Sequence, residues 1–473
     1  MTRNMRGYSG LSMRGPVATV QHSTIFQKGA GMQDWLTMTA CDLGRGIGMG
    51  RIDPVELTET YLSAIDAHPH LDRIYAHVTH DRARAEAEAA QERAKLGLRR
   101  SLLDGVPISW KDLFDTAGTA TEAGSALLKG RVPEADAVVV RNATAMGTVC
   151  LGKTHMSELA FSGLGLNPIT GTPPCIDDEE AVPGGSSSGA GASVAWGLAA
   201  CGVGSDTGGS VRIPAAWNNL VGLKTTAGRV SLEGTVPLCL RFDTVGPLTR
   251  SVEDAAHMLA LLEGGTPADL RGASLKGRRF ADLQNVAKDD LRDVPRKAFD
   301  DALDRLREAG AEIVPLEVPE LNDAMGLSGL LYTTEAYGLW RDVIEANPEA
   351  MYPEILERFR AGKNNSGPDY IAAWSKLKTC RGAWDAATAG FDAVLAPTAP
   401  IMPPNLDRLM NDHDYYVTEN LLALRNTRIG NLMGLAALTL PTETPGCGLM
   451  MMGYPGSEEA LLRLGSAAEA ALA

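Results

Sequence analysis

Two clusters of serine and glycine, residues 183–189 (PGGSSSG) and 204–215 (GSDTGGSVRIPA), flank a run of small residues from Ala190 to Ala200. Glycine at this density weakens any long helix or strand, so both clusters are expected to be loops joined by a short, closely packed helix. Consecutive glycines also let backbone N–H groups face a ligand without side-chain interference. Four such groups, on Thr207, Gly208, Gly209 and Ser210, would make an anion nest. That nest could hold the oxyanion of a tetrahedral intermediate beside a serine nucleophile. Either cluster alone reads equally well as a loop that only packs tightly.

A third element lies upstream at residues 105–112 (GVPISWKD). An apolar strand ending in Lys111 places a lysine away from water. Burial disfavours the ammonium form, so such a lysine gives up its proton readily and can serve as a base toward serine. The alternative is a snorkelling lysine paired with Asp112.

Around these elements the chain alternates β and α signals. Residues 106–110 and 148–151 are expected to be strands and residues 135–145 a helix, a βαβ rhythm that implies a largely parallel sheet with helices on its faces. Asp53, Pro54 and Glu56 form a helix start, with Asp53 as cap and Glu56 closing a capping box. Residues 82–97, 251–263, 296–310 and 456–473 are helical, 311–317 and 391–397 are strands, and 320–385 is a helical region. Residues 162–250 are rich in Gly, Ser, Thr and Pro; a long loop-rich stretch inside a compact protein is usually functional. Met450 to Met452 read as core strand.

Composition bounds the rest. The 473 residues are 44% hydrophobic and 22% charged, with a net charge of −14. That acidity argues against nucleic acid as a partner. No run of apolar residues is long enough to span a membrane. Residues 1–31 carry four basic residues, no acid and no apolar signal core, and are expected to be a flexible extension. Seven scattered cysteines without a C-x-x-C pair fit reduced thiols in a cytoplasm. The eight histidines form no ligand cluster, so neither metal nor cofactor is expected.

The two serine clusters together resemble the signature of the amidase signature family, roughly G-G-S-S-[SG]-G followed by G-[ST]-D-[TI]-G-G-S-[IV]-R. Ser186 and Ser210 stand 24 residues apart, the family's spacing between its two triad serines. Residues 105–112 are similar to the family's G-[IV]-P-x-x-x-K-D. Residues 152–158 (GKTHMSE), 221–226 (VGLKTT), 244–252 (TVGPLTRSV), 396–398 (APT) and 438–441 (LTLP) resemble further family motifs, so the likeness covers roughly residues 35–470.

The resemblance implies an α/β fold: a large, mixed, mostly parallel central sheet covered by helices. A single domain over 32–473 is expected, with the variable helices of 320–385 above the pocket. It implies Ser210 as nucleophile, Ser186 as the bridging serine in a cis peptide, and Lys111 as base. Thr207, Gly208, Gly209 and Ser210 would form the oxyanion hole, with Asp206 pairing with Arg212 to hold the loop. Apart from the resemblance, Met156 and Arg229 are expected near the substrate, Arg229 because its loop, 227–234, follows the nucleophile region. The expected activity is hydrolysis of small amides, with anilides and carbamates (urethanes) as further candidates, by a monomer or homodimer. Composition points to an apolar pocket over a charged one. For Lys111 to act as base, burial must lower its pKa from about 10.4 to about 8–9.

Three departures put any particular substrate in question: Lys224-Thr225 for the usual Lys-Pro, the acidic stretch 177–180, and Leu449 to Gly453 where many members carry a glutamine. Two other readings compete. The first is an α/β-hydrolase with Ser187 in a G-x-S-x-G elbow, which needs a strand before it and a downstream histidine; His257 on a helix and His413 in a polar loop are the candidates. The second is the amidase subunit of a tRNA-dependent amidotransferase. Residues 161–168 (FSGLGLNP) resemble the stand-alone amidases instead.

Overall fold

Capping chemistry starts several helices where the sequence places them. In this computed structural model, which describes residues 32–473, the Asp53 carboxylate accepts from the N–H groups of Val55 and Glu56 and opens the helix Pro54–Asp66. The return bond from Glu56 does not form; Asp53 instead receives the Gln91 amide. Ser251 caps Val252–Glu263, and Gly264 in the left-handed conformation ends it. The proposed extension, residues 1–31, lies outside the described residues.

Eleven strands form one sheet: β1 (Tyr75–Val78), β2 (Pro107–Lys111), β3 (Val149–Thr154), β4 (Cys201–Ser205), β5 (Val221–Lys224), β6 (Val245–Thr249), β7 (Arg279–Leu283), β8 (Glu312–Leu316), β9 (Ala393–Pro397), β10 (Ala436–Pro441) and β11 (Gly448–Gly453). Their order is β1-β3-β2-β4-β6-β5-β10-β11-β9-β7-β8. The expectation of a mostly parallel sheet holds only in two blocks. β3, β2 and β4 are mutually parallel, as are β9, β7 and β8, while every other neighbouring pair is antiparallel. Helical crossovers return the chain to the same end of the sheet in each block. Between the blocks, connections such as the short one from β10 to β11 reverse direction and give antiparallel pairs.

Most strands are buried on both faces, and Met450 to Met452 sit in β11 at the centre of the core. Residues 320–385 are helical, including Ser328–Ala346, Pro353–Arg360 and Gly367–Thr388. The long helix His413–Met433 has no counterpart in the sequence reading. Its buried face includes Glu419, Asn420, Asn426, Thr427 and Asn431, and polar residues on the inner face erase the apolar period that reveals a helix. All seven cysteines are free and buried. No helix among the described residues is long and apolar enough to cross a membrane.

Candidate active site

In an open α/β sheet, ligands bind beyond the carboxyl ends of parallel strands. β2 and β4 are parallel neighbours, so their last residues, Lys111 and Ser205, emerge side by side. Lys111 Nζ lies 2.7 Å from Ser186 Oγ and 2.8 Å from Ser205 Oγ. Lys111 and Ser186 are completely buried. Burial lowers the Lys111 pKa from its usual 10.5 to about 7, with the carboxylates of Asp206 and Asp243 opposing the shift. This is below the range expected from sequence, because no water reaches the amine.

Successive residues of a strand point to opposite faces. Asp112 therefore turns away from Lys111 and pairs with the buried Lys153 at 3.3 Å. The snorkelling alternative does not occur.

Ser186 follows a cis Gly185–Ser186 peptide and precedes the small-residue helix Ser188–Ala195. Ser187 N–H donates to Ser210 C=O at 3.3 Å, which holds the two serine clusters against each other. Ser187 Oγ, the nucleophile of the elbow reading, is buried and bonds to Ser205 C=O. The residues before it, 177–182, form no strand, so the elbow geometry is missing. His257 is on a helix as expected. His413 begins a helix instead of lying in a loop, because Asp412 caps that helix.

The loop from Asp206 to Ser210 is tied down through its carbonyls. Thr244 Oγ1 donates to Asp206 C=O at 2.7 Å, Tyr332 Oη to Thr207 C=O at 3.0 Å, and Thr427 Oγ1 to Gly208 C=O at 2.8 Å. Across a planar trans peptide the following N–H points the other way. The N–H groups of Thr207, Gly208, Gly209 and Ser210 make no hydrogen bond among the described residues, whereas Asp206 N–H and Val211 N–H do. Gly209 adopts φ +142°, and a Cβ there would sit 2.1 Å from Thr427 Oγ1, so only glycine allows this approach.

Asp206 and Arg212 pair bidentately at 2.9 and 3.0 Å, wholly buried, with Asn431 bonded to both. Burial alone would raise the Asp206 pKa, but the Arg212 charge outweighs it and holds the carboxyl at about 2. Thr207 Oγ1 donates to Asp243 at 2.5 Å. The pair serves the loop's shape, as the sequence predicted.

Ser210, Thr207 and Gly208 open onto a cavity of about 260 Å³, a small-molecule volume. Its other walls come from Ala160, Phe161, Leu238 and Leu424 and from the helices above, including Ser328, Tyr332, Arg358 and Arg428. From the helical region 320–385, residues between 328 and 361 line this cavity. The pocket is apolar but not uncharged, a correction to the reading from composition.

Two predicted contacts fall elsewhere. Met156 is fully buried in the core and does not line the cavity, since an apolar side chain just past β3 is drawn inward. Arg229 is held by three carboxylates, Glu263, Glu458 and Glu459, and clamps its loop to two helices away from the cavity. Sequence reading missed Ser205, although it stands inside the quoted cluster, one residue past a glycine at a strand end. Tyr332, Thr427, Arg358 and Arg428 carry no local motif at all.

Among the described residues two groups could hold a metal ion: Cys41 with Glu253 and His257, and Glu354 with Glu357 and His413. Neither lines the cavity. Glu253 pairs with Arg45, and His413 bonds to Glu354 at 2.8 Å.

The sequence matches the family described as Amidase over residues 56–462. It is 35% identical to a 2-amino-5-chloromuconic acid deaminase of Comamonas testosteroni, covering 92% of this chain and 97% of that protein. It is 34% identical to a glutamyl-tRNA(Gln) amidotransferase subunit of Anaeromyxobacter dehalogenans (strain 2CP-C), covering 90% and 95%. Among solved structures, one described as an amidase superposes with a TM-score of 0.83 at 32% identity, covering 92% of this chain and all of that one. The peptide amidase of Stenotrophomonas maltophilia superposes with a TM-score of 0.78 at 28% identity, covering 92% and 97%.

Proposed function

The chain belongs to the amidase family, hydrolases of carbon–nitrogen bonds other than peptide bonds, and we propose that it hydrolyses small amides through a Ser210–Ser186–Lys111 relay. The observation that carries this reading is the 2.7 Å contact of a buried Lys111 with Ser186, beside a loop of four unpaired N–H groups. Neutral Lys111 accepts a proton from Ser186, and Ser186 accepts one from Ser210. Ser210 Oγ attacks the carbonyl carbon, and the N–H groups of residues 207–210 hold the oxyanion. The proton returns through Ser186 to the leaving amine, and water then hydrolyses the acyl-enzyme. A serine hydroxyl is too weak a nucleophile at neutral pH without such a base. Carbamates present the same carbonyl with an alkoxy group attached and are expected to react more slowly.

The likeness to an amidotransferase subunit supports a second reading, in which released ammonia passes to a partner protein. A panel of primary amides, anilides, carbamates and 2-amino-5-chloromuconic acid, offered to the purified chain alone, separates the two. Turnover of a panel member without partners is expected. Inactivity on every compound, together with co-purifying subunits that support tRNA-linked transamidation, would replace the first reading with the second.

A further inference from the structure

Two guanidinium groups, Arg358 and Arg428, line the cavity that holds Ser210. Several other inward-facing arginines are held by acceptors: Arg212, Arg82 and Arg229 by carboxylates, and Arg250 and Arg381 by backbone carbonyls. Arg358 and Arg428 meet no carboxylate among the described residues. The Arg358 guanidinium lies 4.8 Å from the ring centre of Phe161, and its buried Nε has no hydrogen-bond partner among the described residues. Among the described residues Arg428 makes a single hydrogen bond, of 3.5 Å, to Ser328 Oγ.

Burial pushes the Arg358 pKa down to about 10, and the nearby Arg428 charge pushes it the same way. Burial likewise lowers that of Arg428. A guanidinium keeps its proton in a protein, so both groups carry charge at neutral pH. Two like charges that are half-buried and line one small cavity destabilise the empty protein, and an anion bound between them relieves that penalty. Planar guanidinium groups suit a carboxylate through paired hydrogen bonds. Among the described residues no Asp or Glu lines the cavity, so none of them favours an ammonium group there.

We propose that Arg358 and Arg428 form a carboxylate subsite, so that the preferred substrate is a small amide carrying a carboxylate and no ammonium, such as the half-amide of a dicarboxylic acid. This rests on the amidase reading above. The subsite orients the substrate in the cavity, and the relay and the oxyanion hole act on the amide. Arg358 and Arg428 touch the substrate and not the reacting atoms.

The test uses the full chain and amides of one skeleton: glutaric acid half-amide, pentanamide, in which a methyl replaces the carboxylate, and L-glutamine, which adds an ammonium. Half-amides of succinic and adipic acid cover chain length. The expected kcat/KM for the best half-amide exceeds that for its neutral counterpart by about 100-fold, and L-glutamine falls below glutaric half-amide. Arg358→Met and Arg428→Met are each expected to shrink the charged-over-neutral preference by roughly 10- to 100-fold, as expected for loss of a charge-assisted hydrogen bond. Arg358→Lys should restore part of it. Free glutarate should inhibit wild-type turnover of pentanamide competitively, a measurement that needs no variant.

Pentanamide turned over as well as the half-amides, with no inhibition by glutarate, would overturn the subsite and leave the amidase reading standing. L-glutamine preferred over glutaric half-amide would overturn the exclusion of an ammonium. No turnover of any amide by wild type would remove the amidase reading, and the subsite with it.

Discussion

Lys111 carries the chemistry and the pH dependence of the proposed relay. Replacing Ser210 or Lys111 by alanine is expected to lower kcat/KM by at least about a thousandfold, since relay members act as a unit. Lys111→Arg should be as inactive, because a guanidinium keeps its proton at any working pH. A folded Lys111→Arg variant turning over like the wild type would rule out the lysine as base. The neutral form of Lys111 must be present for Ser186 to pass on a proton. With the folded pKa lowered to about 7, that form is lost as pH falls through 7 and is nearly complete about one unit above it. The free-enzyme kcat/KM should therefore fall about tenfold per pH unit below 7 and stay level on the alkaline side. A limb still rising at about pH 10, the ordinary lysine range, would show that the amine is hydrated and that burial does not tune it. His155, which burial brings to about 4, is not among the residues lining the cavity and cannot supply a limb near neutrality.

Loops and helices acquire their roles by what they grip. The Asp206–Ser210 loop is held from three directions: Thr244 beside β6, Tyr332 on the helix Ser328–Ala346, and Thr427 on the helix His413–Met433. Arg229 does a different job. It ties the loop after β5 to the helix Val252–Glu263 and to the first turn of the helix Glu458–Leu472, where the two glutamates also face the favourable end of the helix dipole. Arg229→Ala leaves the half-buried Glu263 and the buried Glu458 without their cation. A loss of about 1–3 kcal/mol in unfolding free energy is expected, with kcat/KM within about twofold of wild type. Urea unfolding and steady-state kinetics on the same preparation check both halves. A raised KM at unchanged stability would return Arg229 to the substrate site, where its place after the nucleophile region had put it.

Across the molecule, Lys111 and Ser205 at the carboxyl ends of β2 and β4 meet Ser186 near the loop of residues 206–210, which opens onto the cavity under the covering helices, and the relay proposed there uses no metal. Dialysis against a strong chelator should leave the rate unchanged; loss of activity with recovery on adding zinc would overturn the mechanism. Much of this molecule was legible in the chain itself. The cap at Asp53, the strands on either side of Lys111, the helices near 80–95 and 293–308 and the core strand of methionines each follow from a few neighbouring residues. The serine clusters and Lys111 were legible too, because glycine-rich turns and a lysine at a strand end carry their signal locally. Tertiary structure alone decided the rest. Ser205 meets Lys111 only because β2 and β4 are parallel neighbours, and the four N–H groups stay free only because distant hydroxyls occupy the loop's carbonyls. Arg229 and Arg358 are the same residue type on exposed-looking sequence, yet one lies among glutamates and the other beside an aromatic ring with no counter-charge. Propensity and capping act over a turn or two of chain, whereas the partner of a buried charge is set by packing between distant segments, 229 residues apart for Arg229 and Glu458.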